Sequence, residues 1–321
     1  MTNDRQCPVL RASVWIAAFL LAACNQAEPP PTAATEPPPP EPQVNVRDMG
    51  TVLAESQPSD WRPLDLENTL YMDLPQGRVI IEMSPAFAPN HVANIKALAR
   101  EGYFNGIAIV RTQDNYVVQW GDPEGNREIK TAARTLPAEF AVPITPELPF
   151  SRLDSVDGYA AEVGFADGFP SGRDPSAGLA WLAHCYGMVG VGRDTAADSG
   201  GGAELYAVIG HAPRQLDRNV TLFGRIVRGI ELLSTLPRGT AVLGFYEQPS
   251  QRIPIKSFRI ASEVPEAERV RLEVLRTDTP TFAALVNSRR HRQEEWFQFD
   301  VGHVELCNVP IPVRQQAEAT P

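Results

Sequence analysis

Cysteine is scarce: four among 321 residues, too few for a disulfide-stapled miniprotein and too scattered for a zinc knuckle. No stretch reaches 18 consecutive apolar residues, so no transmembrane helix is expected. Basic residues are outnumbered, with 29 Lys and Arg against 39 Asp and Glu. Nucleic-acid binding needs clustered cations to neutralise phosphates, and the net charge of −10 excludes it. A phosphate-cradling loop is also missing, because Gly190-Val191-Gly192 lacks the third glycine and no helix follows. Ser199, in Asp198-Ser199-Gly200, has no Gly-x-Ser-x-Gly elbow around it, and no nucleophile–base set for a hydrolase is present. His91, His211, His291 and His303 stand alone in sequence. His184 and Cys185 are adjacent, and neighbours on a strand point to opposite faces. Neither a metal nor a cofactor is expected. What is present is ample material for a core, at 43% hydrophobic residues, and 30 prolines.

The N-terminus carries Arg5 and Arg11 ahead of an apolar run of 12 residues, 12–23. That run is too short to cross a bilayer and has the size of a signal-peptide core. It ends in Leu21-Ala22-Ala23-Cys24, which resembles the lipobox of bacterial lipoproteins, with small residues flanking the cleavage point and a thiol to take the lipid. Residues 1–23 are therefore expected to leave as a signal peptide, and Cys24 to be lipidated. Asn25 after it favours the outer membrane, with the body facing the periplasm. Eight prolines lie between Pro29 and Pro42. Such a segment stays extended at ~3.1 Å per residue, so the 21 residues 25–45 could hold a domain up to roughly 65 Å from the membrane. Residues 24–60 are expected to be this linker.

Beyond it the pattern becomes β-like. Residues 69–74 and 78–83 alternate around the turn Pro75-Gln76-Gly77, which predicts a hairpin. Residues 89–100 place Val92, Ile95 and Ala99 on one helical face, with a proline at the start and Gly102 after the end. Short strands are predicted over 107–111, 116–119, 187–191, 205–209, 221–227 and 253–260, and a second helix over 229–236. Thr279-Pro280 predicts an N-cap and first turn, with Phe282, Leu285 and Val286 inward, and 296–304 alternates like a strand.

These residues carry a resemblance. Gly77-Arg78-Val79-Ile80-Ile81-Glu82-Met83 followed by Ala88-Pro89 and Asn94 resembles the opening of cyclophilin-type peptidyl-prolyl cis-trans isomerases. Gly102-Tyr103-Phe104-Asn105-Gly106 is similar to that family's Gly-Tyr-Tyr-Asp-Gly turn. Val110-Arg111 and Tyr116-Val117-Val118-Gln119-Trp120-Gly121-Asp122 are similar to its arginine-bearing strand and Gln-Gly-Gly-Asp ending. Ser199-Gly200-Gly201-Gly202, Ala203-Glu204-Leu205-Tyr206, Leu216-Asp217 and Phe223-Gly224-Arg225 follow in the family's order. There are departures. Val110 replaces a histidine, Glu204 a glutamine, Tyr206 a phenylalanine and Trp120 a glycine, while Gln215 and Val220 stand where many members have tryptophan and histidine.

The resemblance implies a mainly β fold, a closed antiparallel barrel capped by two helices, over 61–262. It leaves an inserted lobe at 123–186 and an α+β C-terminal extension at 263–321 outside the pattern. It implies isomerisation of X–Pro bonds in proline-containing polypeptides, here those of the envelope, with Arg111 as the catalytic residue. Tyr116, Val117, Tyr206 and Leu216 would line the proline pocket, Gln119 and Val189 would contact the substrate backbone, and Glu204 would pair with Arg111. The alternative is a non-catalytic proline-peptide-binding or scaffold module on the same barrel. Once Cys7 leaves with the signal peptide and Cys24 takes lipid, Cys185 and Cys307 remain. In an oxidising compartment they are expected to bridge, with two buried free thiols as the other possibility.

Overall fold

The structure, a computed structural model, describes residues 46–316. Cys24 with its expected lipid, the expected signal peptide over 1–23 and the proline-rich segment lie outside the described residues. Nine antiparallel strands make the main sheet, in the order Ile253–Pro254, Ala108–Thr112, Val117–Gly121, Leu205–Val208, Met188–Val191, Leu222–Arg228, Gly77–Met83, Thr69–Leu74, Ser257–Ile260. Strand alternation sorts the side chains onto two faces. Leu70, Met72, Val79, Ile81, Ile109, Val118, Trp120, Val189, Leu205, Ala207, Phe223 and Phe258 fill the concave interior. The helix Pro89–Arg100 plugs one end with Val92, Ile95 and Leu98, and the single turn Glu231–Ser234 adds Leu233.

The barrel is curled but not fully closed, unlike the expectation. The predicted strand over 253–260 divides in two: Ile253–Pro254 pairs with Ala108–Thr112 at one edge of the sheet, and Ser257–Ile260 pairs with Thr69–Leu74 at the other. The chain itself spans the gap through Ile255 and Lys256. The Ile255 N–H donates to the Ile107 carbonyl (2.7 Å) and the Lys256 N–H to Asp73 O (2.8 Å). One strand that changes partners midway cannot carry an unbroken ladder, so covalent continuity replaces it.

The insert leaves after Gly121 and returns at Met188 as a five-stranded antiparallel sheet, in the order Val142–Pro143, Leu179–Leu182, Phe169–Asp174, Glu162–Ala166, Ser151–Leu153. Its central hairpin turns on Asp167 and Gly168, both with positive φ (47° and 80°), the conformation a two-residue turn between twisted strands needs. Leu153, Val163, Phe165, Phe169 and Leu182 form a second core with the convex face of the barrel, through Val117, Met188, Tyr206, Val208 and Leu222.

The helix Pro280–Arg290 contributes Phe282 and Leu285 to the same core, and Thr279 caps it by accepting the Phe282 N–H (3.2 Å). Two expectations fail in the flanking segments. Residues 296–304 form no strand; Trp296, Phe299 and Val301 are exposed and only Val304, at the end of the stretch, is buried, so the alternation does not mark a buried face. Residues 49–60 are not linker: Met49–Ala54 is a helix capped by Asp48, with Val52 buried in the second core. Trp61–Pro63 then pairs with Leu272–Leu275, which pairs with Val313–Gln315, so the entry strand and the tail share one sheet.

Cys185 and Cys307 are joined in a disulfide, Cα atoms 5.0 Å apart across 122 residues of chain. Closing so long a loop restricts the unfolded chain. Cys307→Ser is expected to lower unfolding free energy by about 4–5 kcal/mol on the chain-entropy model, measured by urea denaturation. Forming the bridge removes two hydrogens, so a mass of the non-reduced protein about 2 Da below the fully reduced one checks the bridge itself.

Candidate functional site

A cavity of about 670 Å³ opens on the barrel wall beside Arg111. It collects Arg111, Tyr116, Val117, Gln119, Glu204, Tyr206 and Leu216, seven of the positions singled out in the sequence. Val189 is not among them. It pairs with Ala207 and faces the barrel interior, because strand alternation turns residues 189 and 191 inward and 188 and 190 outward.

Arg111 reaches the cavity because of a bulge. Ile109 lies opposite Trp120 and Arg111 opposite Gln119, so Val110 has no cross-strand partner. In a regular strand Arg111 would follow Ile109 into the core; the extra residue turns it to the face carrying Val117 and Gln119. The Val110 carbonyl is satisfied by the Tyr246 N–H (2.9 Å). The guanidinium is then held on three sides. Nε donates to Leu243 O (2.7 Å), Nη1 to Gln119 Oε1 (3.1 Å) and Nη2 to Gln113 Oε1. It lies 5.6 Å from the Tyr116 ring centroid and 5.4 Å from that of Phe245. Burial draws its pKa below the ordinary arginine value, yet a guanidinium stays charged.

The expected ion pair with Glu204 is absent. Gln119 stands between them, accepting from Arg111 and donating through Nε2 to Glu204 Oε2 (2.8 Å). The cross-strand register explains this: Gln119 faces both Arg111 and Tyr206, while Glu204 lies beyond the end of its strand. Burial raises the pKa of the Glu204 carboxyl, opposed by the Gln119 hydrogen bond and reinforced by the negative charges of Asp194 and Asp122.

Other residues of the site had no sequence signal. Leu243 and Phe245 come from the loop after the Glu231–Ser234 turn, where Leu243 takes φ 59° and presents its carbonyl to Arg111. Arg134 comes from the insert. Asn94 of the helix places it by clamping Ala133, accepting its N–H (2.7 Å) while donating to its carbonyl (2.8 Å) and to Gly201 O (2.7 Å). Gly201 needs to be glycine, since a Cβ there would stand 2.5 Å from the Arg134 carbonyl. His184, set aside in sequence as half of a metal pair, instead bonds the hydroxyl of Tyr206 (2.9 Å). Among the described residues no cluster of three or more His, Cys, Asp or Glu could hold a metal.

Glu204 carries a testable sign. Its folded pKa is raised, so the ionised form opposes folding above that value, and the opposition fades as pH falls through it. Glu204→Gln is expected to stabilise the protein at pH 7–8, with the difference from wild type shrinking towards pH 4 in thermal melts. The amide can still accept from Gln119, so the link from Arg111 through Gln119 to residue 204 is expected to persist in this variant.

Comparison with known proteins agrees with this geometry. The family model "Cyclophilin type peptidyl-prolyl cis-trans isomerase/CLD" matches residues 69–260. A probable peptidyl-prolyl cis-trans isomerase of Brucella suis is 42% identical over 88 residues, 24% of this chain. The match spans 45% of that protein, so the chain covers under half the length of the Brucella relatives. Human peptidyl-prolyl cis-trans isomerase-like 1 is 25% identical over 214 residues, 66% of this chain and 99% of the relative. The crystal structure of cyclophilin AquaCyp293 from Hirschia baltica superposes with a TM-score of 0.65 at 26% identity, covering 84% of this chain and 98% of that one. That coverage extends well beyond the residues matched by the family model. With the family model matching more than half of its residues, around a bulged strand that carries Arg111 into the cavity, the chain belongs to the cyclophilin-type peptidyl-prolyl cis-trans isomerase family.

Proposed function

We propose that the protein catalyses cis–trans isomerisation of X–Pro bonds in polypeptides of a bacterial envelope, assisting their folding, while tethered through lipid on Cys24. The observation that carries the catalytic part is the state of Arg111. A guanidinium has five N–H donors, and three are engaged, one each from Nε, Nη1 and Nη2. One N–H on each Nη remains for a substrate. Rotation about the amide faces about 18–20 kcal/mol because resonance gives the C–N bond double-bond character. As the bond twists, the prolyl nitrogen gains a lone pair, and an N–H aimed there stabilises the twisted state more than either planar one. Each ~1.4 kcal/mol of that difference is a tenfold rate. No bond to the protein forms and no cofactor is required. The apolar faces of Tyr116, Val117, Tyr206 and Leu216 receive the proline ring, and Leu243, Gln113 and Gln119 keep the guanidinium from following the substrate as it rotates.

The same hydrogen bonds favour a second reading. Three acceptors already compete for the guanidinium, and a module that binds proline peptides without turning them over would look alike. Arg111→Ala separates the two. Catalysis predicts a loss of at least about tenfold in kcat with peptide affinity largely kept, since an interaction made in the transition state affects rate. Arg111→Lys is expected to be similarly poor, because an ammonium cannot span Leu243, Gln119 and Gln113 and still donate. Equal, slow isomerisation by wild type and Arg111→Ala establishes the binding module.

The envelope reading is supported by the basic front, the short apolar run and Leu21-Ala22-Ala23-Cys24, followed by a proline-rich segment suited to a stalk. No helix among the described residues is long and apolar enough to cross a membrane. Stable attachment takes two or more acyl chains, at ~0.8 kcal/mol per buried CH₂. Cys24→Ala is expected to move the protein out of the membrane fraction; the variant remaining there contradicts lipid anchoring.

A further inference from the structure

Behind the cavity a chain of buried polar groups runs from Tyr206 into the insert. The Tyr206 hydroxyl meets His184 Nε2 at 2.9 Å, and His184 Nδ1 meets Asp217 Oδ1 at 2.9 Å. Asp217 Oδ1 also accepts the His184 main-chain N–H (2.9 Å), and Oδ2 accepts Arg214 Nε (2.6 Å). Arg214 closes the chain on Asp157 with two bonds, 2.8 and 3.1 Å. His184 is 0% exposed, and Arg214, Tyr206 and Asp217 are at most 8% exposed. Asp157 and His184 come from the insert; Tyr206, Arg214 and Asp217 come from the barrel and its following turn.

The protons can be assigned. Arg214 on Oδ2 holds Asp217 as a carboxylate, which only accepts, so His184 carries its hydrogen on Nδ1. Among the described residues the Tyr206 hydroxyl has no hydrogen-bond partner besides Nε2, so a second proton there would leave the buried O–H without an acceptor. Nε2 of the neutral ring is therefore an acceptor, and the Tyr206 O–H donates inward. Burial also pushes the Tyr206 phenol well above its ordinary pKa, so that hydrogen stays on oxygen. The ring lies across Gly190, where a Cβ would stand 2.3 Å from the phenol oxygen.

We propose that His184 is a positioning residue for the cavity: by taking the Tyr206 hydroxyl hydrogen inward, it turns the apolar ring face to a bound proline and keeps the polar edge away. The insert thereby completes the pocket floor, and the role in turnover rests on the isomerase reading above. Without His184 the hydroxyl would be a buried donor lacking a partner, and it would reorient into the cavity or draw in water.

The ¹⁵N NMR spectrum of His184 in the wild-type protein at neutral pH tests the assignment without any turnover. A protonated Nδ1 and a bare Nε2 are expected; a bare Nδ1, or both nitrogens protonated, overturns the proposal. The functional arm uses an Ala-Ala-Pro-Phe peptide. His184→Leu is expected to raise KM and Kd about fivefold or more, with kcat changed less. Adding Tyr206→Phe removes the stranded hydroxyl and is expected to recover most of that loss, which a merely structural role for His184 would not allow. Unchanged Kd in His184→Leu, or no recovery in the double variant, overturns the proposal. Should His184→Leu not fold, the tautomer decides alone. Kd needs no catalysis, so a failure of the isomerase reading remains distinguishable from a failure of this one.

Discussion

In the strand Ala108–Thr112, Ile109 packs inside the barrel opposite Trp120, and two residues later Arg111 faces outward opposite Gln119. Two residues of the same parity point the same way in a regular strand, so the unpaired Val110 is what separates a core arginine from a site arginine. The cost of the broken ladder is offset locally by Tyr246, whose N–H takes the Val110 carbonyl and whose hydroxyl bonds Thr112 (2.8 Å). The loop that supplies Tyr246 also supplies Leu243 and Phe245. One segment therefore stabilises the bulge, orients Nε and flanks the guanidinium with a ring.

The insert and the tail build outward from the other face of the same wall. Barrel strands in contact with a second core expose apolar residues on their convex side, and Val117, Met188, Val208 and Leu222 do so here. The lobe sheet and the helix Pro280–Arg290 cover them, and the disulfide fastens the end of the lobe to the tail. Tyr206 belongs to this outer core while lining the cavity, so the added segments contact the site through it as well as directly through Arg134.

Local patterns were legible where burial is one-sided. The hairpin of Thr69–Leu74 and Gly77–Met83 follows from alternation around Pro75-Gln76-Gly77, and the helix Pro89–Arg100 from its proline start and apolar stripe. Thr279 caps a helix as its sequence predicts. Register was not legible. The family pattern implied a contact between Arg111 and Glu204, but which residue faces Arg111 depends on one bulge, and that residue is Gln119. Val189 was misassigned for a related reason, since a short apolar strand does not reveal which of its faces looks inward. The alternation over 296–304 has the period of a strand without a neighbour to pair with. His184 was hidden because its partners, Tyr206 and Asp217, are distant in sequence, and only the return of the insert to the barrel brings them together.

The role of Arg111 is tested most directly by exchange NMR on the wild-type protein with a proline peptide at saturating concentration. Cross-peaks between bound cis and trans forms report rotation on the protein itself, independent of product release. A catalytic Arg111 predicts exchange far faster than the tens to hundreds of seconds of the free peptide. Chemical-shift changes that prove binding, with exchange no faster than in solution, would contradict it.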